Sequence, residues 1–229
     1  MPSLFDHARI IFLPLHQANG AEQMDVDDAA FQALAAVPAS EQLLLWVRCY
    51  TWTPATWSIG KLQKESSLLT QLTQGHPVVR RPTGGRAIFH DNDISFMFAT
   101  NHPDLLRLSV KQSYCVFLDW LKQTLVALQV PLSSTCSESS AYQVSELCFD
   151  THLPSELLSE NGDKLCGMAQ ARQKGALLQH GAAFLAPWGI SPKAFQVQLF
   201  KTIQQNCPNA IFNENEIDSV MNGYHPSEK

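Results

Sequence analysis

Residues Val78 to Asp93 read VVRRPTGGRAIFHDND, and this stretch sets the frame for the whole 229-residue chain. Thr83-Gly84-Gly85 forms a loop ringed by Arg80, Arg81 and Arg86. Glycine reaches φ > 0 and allows close backbone approach, so such a loop can present N–H groups to a carbonyl or an anion. Arginine adds forked donors that suit phosphate or carboxylate. A Gly-Gly turn between two strands is the plain alternative; the arginine cluster favours a ligand-covering loop. Exposed charges contribute below about 1 kcal/mol to stability, so Arg80 and Arg81 are expected to serve recognition and not the core. Valine at Gly84 or Gly85 is expected to disturb the loop. Downstream, Ile88 and His90 mark one strand and Asp91-Asn92-Asp93 breaks it. Ile94, Phe96 and Phe98 then alternate with Ser95 and Met97 in a second strand.

With 45% apolar residues the chain is long enough for one substantial core. A formal charge of −5, with no lysine-rich face, argues against nucleic-acid binding. Six cysteines, at 49, 115, 136, 148, 166 and 207, form no C-x-x-C pair and no zinc spacing. They suggest free thiols in a reducing cytoplasm and no metal. The N-terminal MPSLFDHARIIFLPLH carries Asp6 and His7 and reads as no signal peptide, and no apolar run is long enough to span a membrane. A soluble protein is expected.

Ile10 to Leu15 reads as a first strand near Pro14, and Gly20 to Val37 as a helix with Met24, Phe31 and Leu34 inward. Asp25, Asp27 and Asp28 suit that helix's positive N-terminal end. Leu43 to Trp52 reads as a buried strand, TPATWSIGKLQ as a turn and short strand, and Lys64 to Gln74 as a helix. A long helix from Val110 ends at Pro131. A strand at Lys164-Leu165-Cys166, a polar connection over 170–174, a strand over 177–185 and a helix over 193–205 capped by Ser191-Pro192 complete the chain. The tail after Asn206 is expected to be loosely held. Together these give one α+β domain over 1–229, with its core over about 10–206 and a mixed β-sheet flanked by helices.

Cys148, in LCFD, reads as an inert core cysteine when taken alone. Lys164 alters that reading. A lysine among apolar strand residues either reaches out to solvent or lines a pocket and stabilises negative charge. An ammonium beside a thiol lowers its pKa and creates a nucleophilic thiolate. Cys49, Cys115 and Cys207 read as bland. His90 and His180 read most simply as hydrogen-bonded interior histidines, and Arg172 and Lys174 as a solvated turn.

Several segments together resemble one family. RRPTGGRAIFHD followed by GDKLCGMAQARQKGALLQHGAAFL is similar to the biotin/lipoate protein ligase catalytic domains, in their cysteine-type octanoyltransferase branch. QMDVDDAAF and PATWSIGKLQ resemble that family's first helix and following strand. The resemblance implies a class II synthetase-like, biotin-ligase-like mixed sheet with flanking helices. It further implies a loop closing over a medium-chain acyl group, Lys164 at the acyl carbonyl and Cys148 as nucleophile. Arg80, Arg81, Thr83, Gly84, Gly85, Arg86, Ala87, His90, Gly167, Ala169, Gln170, His180 and Gly181 then bind acyl group and substrate. Departures are Gly-Gly-Arg in place of a third glycine, Met168 where serine is common, and Ala182-Ala183 in place of Ser-Ile.

The function implied is transfer of an octanoyl or lipoyl group from acyl carrier protein to a lysine of a lipoyl-carrier domain, in the cytoplasm. The acceptor would be a glycine cleavage H protein or a dehydrogenase E2. No cofactor is implied. The alternatives are an ATP- and Mg-dependent lipoate–protein ligase, an amidotransferase between lipoyl domains, and a non-catalytic acyl-binding protein. Little room for a ligase accessory domain follows the last helix, which favours the transferase.

Overall fold

A computed structural model describes residues 4–37, 43–64, 66–133, 157–173 and 175–212. The chain runs β1 (Arg9–Phe12), β2 (His16–Ala18), α1 (Gly20–Ala36), β3 (Leu44–Trp52), β4 (Thr56–Ile59), α2 (Ser67–Leu72), β5 (Val78–Arg80) and β6 (Ile88–His90). It continues β7 (Ile94–Thr100), α3 (Pro103–Arg107), α4 (Val110–Ala127), β8 (Leu157–Leu158), β9 (Lys164–Gln173), β10 (Ala176–Ala183), α5 (Pro192–Asn206) and β11 (Ile211–Phe212). The main sheet has the order β11-β1-β3-β7-β10-β9-β8, with β2 paired to the end of β3. A smaller sheet has the order β5-β4-β6.

Strand alternation divides the interior. On β7, Ile94, Phe96 and Phe98 point to a core closed by α4 and α5, where Phe117 stacks on Phe98 at 4.7 Å between centroids. Met97 and Ala99 point the other way, onto Met24, Phe31 and Leu34 of α1. The main sheet therefore lies between α1 on one face and α4 with α5 on the other, a mixed sheet with flanking helices. The Ser191-Pro192 start of α5 forms as the sequence predicts: the Ser191 hydroxyl accepts from the Ala194 N–H at 3.1 Å.

Three expectations change. The stretch 170–173 is strand and not a connection, because β9 pairs with β10 up to Gln173 opposite Ala176. Its polar residues are satisfied from the side: Arg172 donates to the carbonyls of Leu106 and Leu108 and to the Ser113 hydroxyl. The described part of the tail, residues 207–212, is also tied down, since Ile211 and Phe212 pair in parallel with Arg9 and Ile10 of β1. β2, α3 and the edge strands β8 and β11 are elements that the sequence reading does not announce. The expected loop over 133–140, beyond Ser133 itself, and the segment around Cys148 lie outside the described residues.

Candidate acyl-binding cleft

The loop between β5 and β6 folds over the middle of β9 and β10 and closes a cleft of about 390 Å³, counted to its open mouth. Met24 of α1 and Tyr50 and Trp52 of β3 line one side, and Gly167, Met168 and Ala169 of β9 with His180 and Gly181 of β10 line another. Ser58, Arg81, Gly85, Ile88, His90 and Ser95 complete the wall. The lining is mainly apolar, with a few polar groups converging on it, which is the usual composition of a small-molecule site. Gly181 has to be glycine here: a Cβ would overlap the Gly167 carbonyl on the neighbouring strand.

Arg81 corrects the expectation of an exposed recognition pair. It is buried, and its Nη1 donates to the Ser58 carbonyl at 2.9 Å and to the Ser58 hydroxyl at 3.1 Å. Its Nη2 donates to the carbonyls of Gly84 (2.8 Å) and Arg86 (2.6 Å), and Nε also reaches Gly84 at 3.1 Å. The guanidinium is thus the internal brace of the glycine loop. Arg80, one residue earlier, is exposed, and its Nη1 donates to the carbonyls of Gly60 and Gln63. Hydrogen bonds to a charged group are worth about 1.5–3 kcal/mol each, and removing the donor leaves buried carbonyls unpaired. Arg81→Ala is therefore expected to lower stability by about 3 kcal/mol in urea unfolding. An unchanged midpoint would mean that the brace carries no energy.

Two hydroxyl–imidazole–carboxylate chains hold the cleft together. In the first, Thr83 meets His180 Nε2 at 2.5 Å, and His180 Nδ1 meets Asp27 Oδ2 at 2.9 Å. A carboxylate only accepts, so Nδ1–H donates to Asp27 and the Thr83 hydroxyl donates to Nε2. Burial holds the His180 pKa below the ordinary histidine range, against the raising effect of its hydrogen bond to Asp27. The neutral ring is what this arrangement requires. Asp27 also accepts from Tyr50 at 3.0 Å and faces Arg48 Nη1 at 3.4 Å. Burial, and then Asp27, push the Tyr50 phenol up. Gln23 Oε1 accepts from Arg48, whose guanidinium lies 4.0 Å from the Tyr50 ring centroid. In the second chain, Ser58 meets His90 Nε2 at 2.8 Å and His90 Nδ1 meets Asp93 at 2.9 Å. The His90 ring stacks on Trp52 with centroids 4.0 Å apart, and the Trp52 indole donates to Ser95.

Of the residues expected from sequence, Arg81, Gly85, His90, Gly167, Ala169, His180 and Gly181 meet at this cleft. Thr83 stands behind it on His180, and Ala87 is buried in the small sheet's core with Trp57, Ile59 and Leu69. Gln170 turns away and donates to Ser113 and Gln179. Gly84 borders the Arg81 brace, and Arg86 contributes its carbonyl to it. Lys164 is buried at the start of β9, three residues before Gly167, and is not part of the lining. Cys148 lies outside the described residues. Cys49 keeps its inert reading, since burial pushes its thiol up to about 12 despite the opposing charge of Arg48. The sequence reading missed Asp27, Arg48, Ser58 and Trp52. A signal existed: Asp27 falls on the Met24–Phe31–Leu34 stripe of α1, and Arg48 interrupts an apolar strand.

A family model described as the lipoyl protein ligase A/B catalytic domain matches residues 19–219. The chain belongs to this family. As a lipoyl protein ligase A/B catalytic-domain member it is 36% identical over 178 residues to octanoyltransferase LipM of Brevibacillus brevis, covering 72% of this chain and 62% of that protein. It is 34% identical over 185 residues to LipM of Macrococcus caseolyticus, covering 75% and 64%. With LipM of Lysinibacillus sphaericus the match covers 54% of that protein, so the chain spans about half to two thirds of the length of these relatives. Among solved structures, a lipoate-protein ligase A bound with ATP superposes with a TM-score of 0.62 at 16% identity, covering 93% of this chain and 92% of that one. The bipartite lipoate protein ligase of Thermoplasma acidophilum gives 0.59 at 16%, covering 94% and 91%. These likenesses show the family's α+β fold.

Proposed function

We propose that this chain transfers an octanoyl group from acyl carrier protein to a lysine of a lipoyl domain through a thioester on Cys148. The observation that carries the reading is the apolar cleft under the arginine-braced glycine loop, in a chain whose sequence relatives are named octanoyltransferases. The Cys148 thiolate attacks the donor thioester carbonyl, and the tetrahedral intermediate expels the carrier's thiolate. The acceptor amine then attacks the enzyme thioester, loses a proton and expels the Cys148 thiolate, leaving an amide. Lys164 stabilises the thiolate and the oxyanion, an interaction worth about 3 kcal/mol per donor in comparable sites. A thioester is already activated, so the transfer uses neither ATP nor Mg. Lipoyl domains such as those of the H protein or dehydrogenase E2 are the acceptors, and the cytoplasm is the compartment.

A donor comparison tests this. Octanoyl–acyl carrier protein, a lipoylated domain, and free octanoate with ATP are each supplied with one apo lipoyl domain, and the product is weighed by mass spectrometry. Octanoylation from the carrier protein alone is expected; product only with ATP would replace the transferase by a ligase.

The glycine loop gives a second expected result, and here the two glycines differ. Gly85 has φ +91° and a Cβ there would lie 2.7 Å from Arg81 Nη2, whereas a Cβ on Gly84 meets open space. A left-handed conformation costs a non-glycine residue roughly 1–2 kcal/mol, before the brace is displaced. Gly85→Ala is expected to slow transfer at least about tenfold, taking 1.4 kcal/mol as a factor of ten. Gly84→Ala should stay within about twofold of the parent on the same scale. Equal rates for both variants would make the loop a mere connector.

A further inference from the structure

The turn between β4 and α2 carries a surface that the cleft does not use. Leu62 is 85% exposed, the most exposed large apolar side chain among the described residues, and it sits between Lys61 and Lys64, both exposed. A single exposed leucine is ordinary on a protein surface; what distinguishes Leu62 is its place between two lysines on a turn that touches the cleft's loop. Residues 60–63 of this turn are also tied to β5. Arg80 donates to the carbonyls of Gly60 (2.8 Å), Lys61 (3.4 Å) and Gln63 (2.9 Å), so its guanidinium staples the turn from beneath. Val78, two residues before Arg80 on β5, is exposed on the same side of that strand. The turn abuts the cleft's loop directly. The Lys61 N–H donates to the Thr83 carbonyl at 2.8 Å, and a Cβ on Gly60 would overlap the Gly85 carbonyl. Gly85 itself lines the cleft.

We infer that the Lys61–Lys64 turn is the docking point for the protein that presents the acyl thioester, through an acidic surface with an apolar contact for Leu62. This rests on the transferase reading and adds to it a place where the donor binds. The argument is charge complementarity. In a chain with a formal charge of −5, the exposed Lys61, Lys64 and Arg80 share one hydrogen-bonded feature beside the loop that lines the cleft, and they outnumber Glu65, the acidic residue that follows Lys64 in sequence. Charged rims of this kind steer encounter and fix register, while a buried apolar anchor supplies the affinity. The hydrogen bonds from Arg80 reduce the ordering cost of residues 60–63 on binding.

The test uses the full chain, the double variant Lys61→Glu/Lys64→Glu, and Leu62→Ser. Three readouts are taken: Kd for octanoyl–acyl carrier protein by fluorescence anisotropy, KM for that donor, and KM for an apo lipoyl domain. Transfer from octanoyl–N-acetylcysteamine, a small thioester without a carrier surface, is the control. Both variants are expected to raise the donor Kd and KM about tenfold, the loss typical of a central interface contact. The parent's donor Kd should also rise steeply with salt and the double variant's should not, while the small thioester is used as before. Unchanged donor Kd in both variants overturns the inference. So does a change confined to the lipoyl-domain KM, or a Leu62-dependent dimer in sedimentation. If the parent transfers no octanoyl group from any donor, the transferase reading falls, and the anisotropy comparison still decides the docking surface.

Discussion

Cys148→Ala is expected to abolish both the octanoyl-enzyme adduct and transfer, and Cys148→Ser to abolish the adduct. A serine hydroxyl that no general base activates is a far poorer nucleophile than a thiolate. Lys164→Ala should slow transfer by about two orders of magnitude, the loss that follows removal of one oxyanion donor. It should also move the pH midpoint of iodoacetamide labelling at Cys148 upward, from below the ordinary thiol value of about 8.5. Cys166 is the internal control. It is buried in the larger core, paired to Leu157 and Ala183 across its two neighbouring strands. An adduct on Cys166 would move the nucleophile and leave the fold untouched. Transfer at the parent rate in Cys148→Ala would end the thioester mechanism.

Asp27→Ala is expected to cost about 3–5 kcal/mol of stability, because it leaves a buried partner charge uncompensated. Asp27 and Arg48 are almost wholly buried and 3.4 Å apart, and the same carboxylate accepts from Tyr50 and His180. For a chain of this size that corresponds to a fall of about 10 °C in Tm. The loss reaches function by a defined route. Without Asp27 the His180 ring has no acceptor to fix its tautomer, and Thr83 on the glycine loop loses an oriented partner. Octanoyl transfer should therefore fall together with stability, even well below Tm. A variant with the parent's Tm would show that the Arg48 charge is satisfied by Gln23 and the Tyr50 ring alone.

The architecture was legible because it follows from local periodicity. The two-residue alternation of β7 and the apolar stripe of α1 are fixed by backbone geometry, and both faces of the sheet were read correctly from them. The motifs around Gly85 and Gly167 likewise brought the right segments to one cleft. The polar end of β9 was misread for the same reason. Gln170 and Arg172 look like turn residues until the carbonyls of α3 and the Ser113 hydroxyl of α4 are there to satisfy them.

The sequence by itself determined the fold class, the central strands and flanking helices, the family and the two segments that build the cleft, while the strand order and the edge strands came from the tertiary structure. The tertiary structure decided which of two adjacent arginines turns inward, since both carry the same local signal and only packing against Ser58 and the glycine loop distinguishes them. It also decided the role of Asp27, which meets His180 across 153 residues of chain, and of Thr83, which meets His180 across 97. A residue's place on a helix or strand is set by its near neighbours. Its partner in a buried polar network is set by which distant element supplies the missing donor, and the cost of leaving a buried carboxylate or guanidinium unpaired enforces that choice.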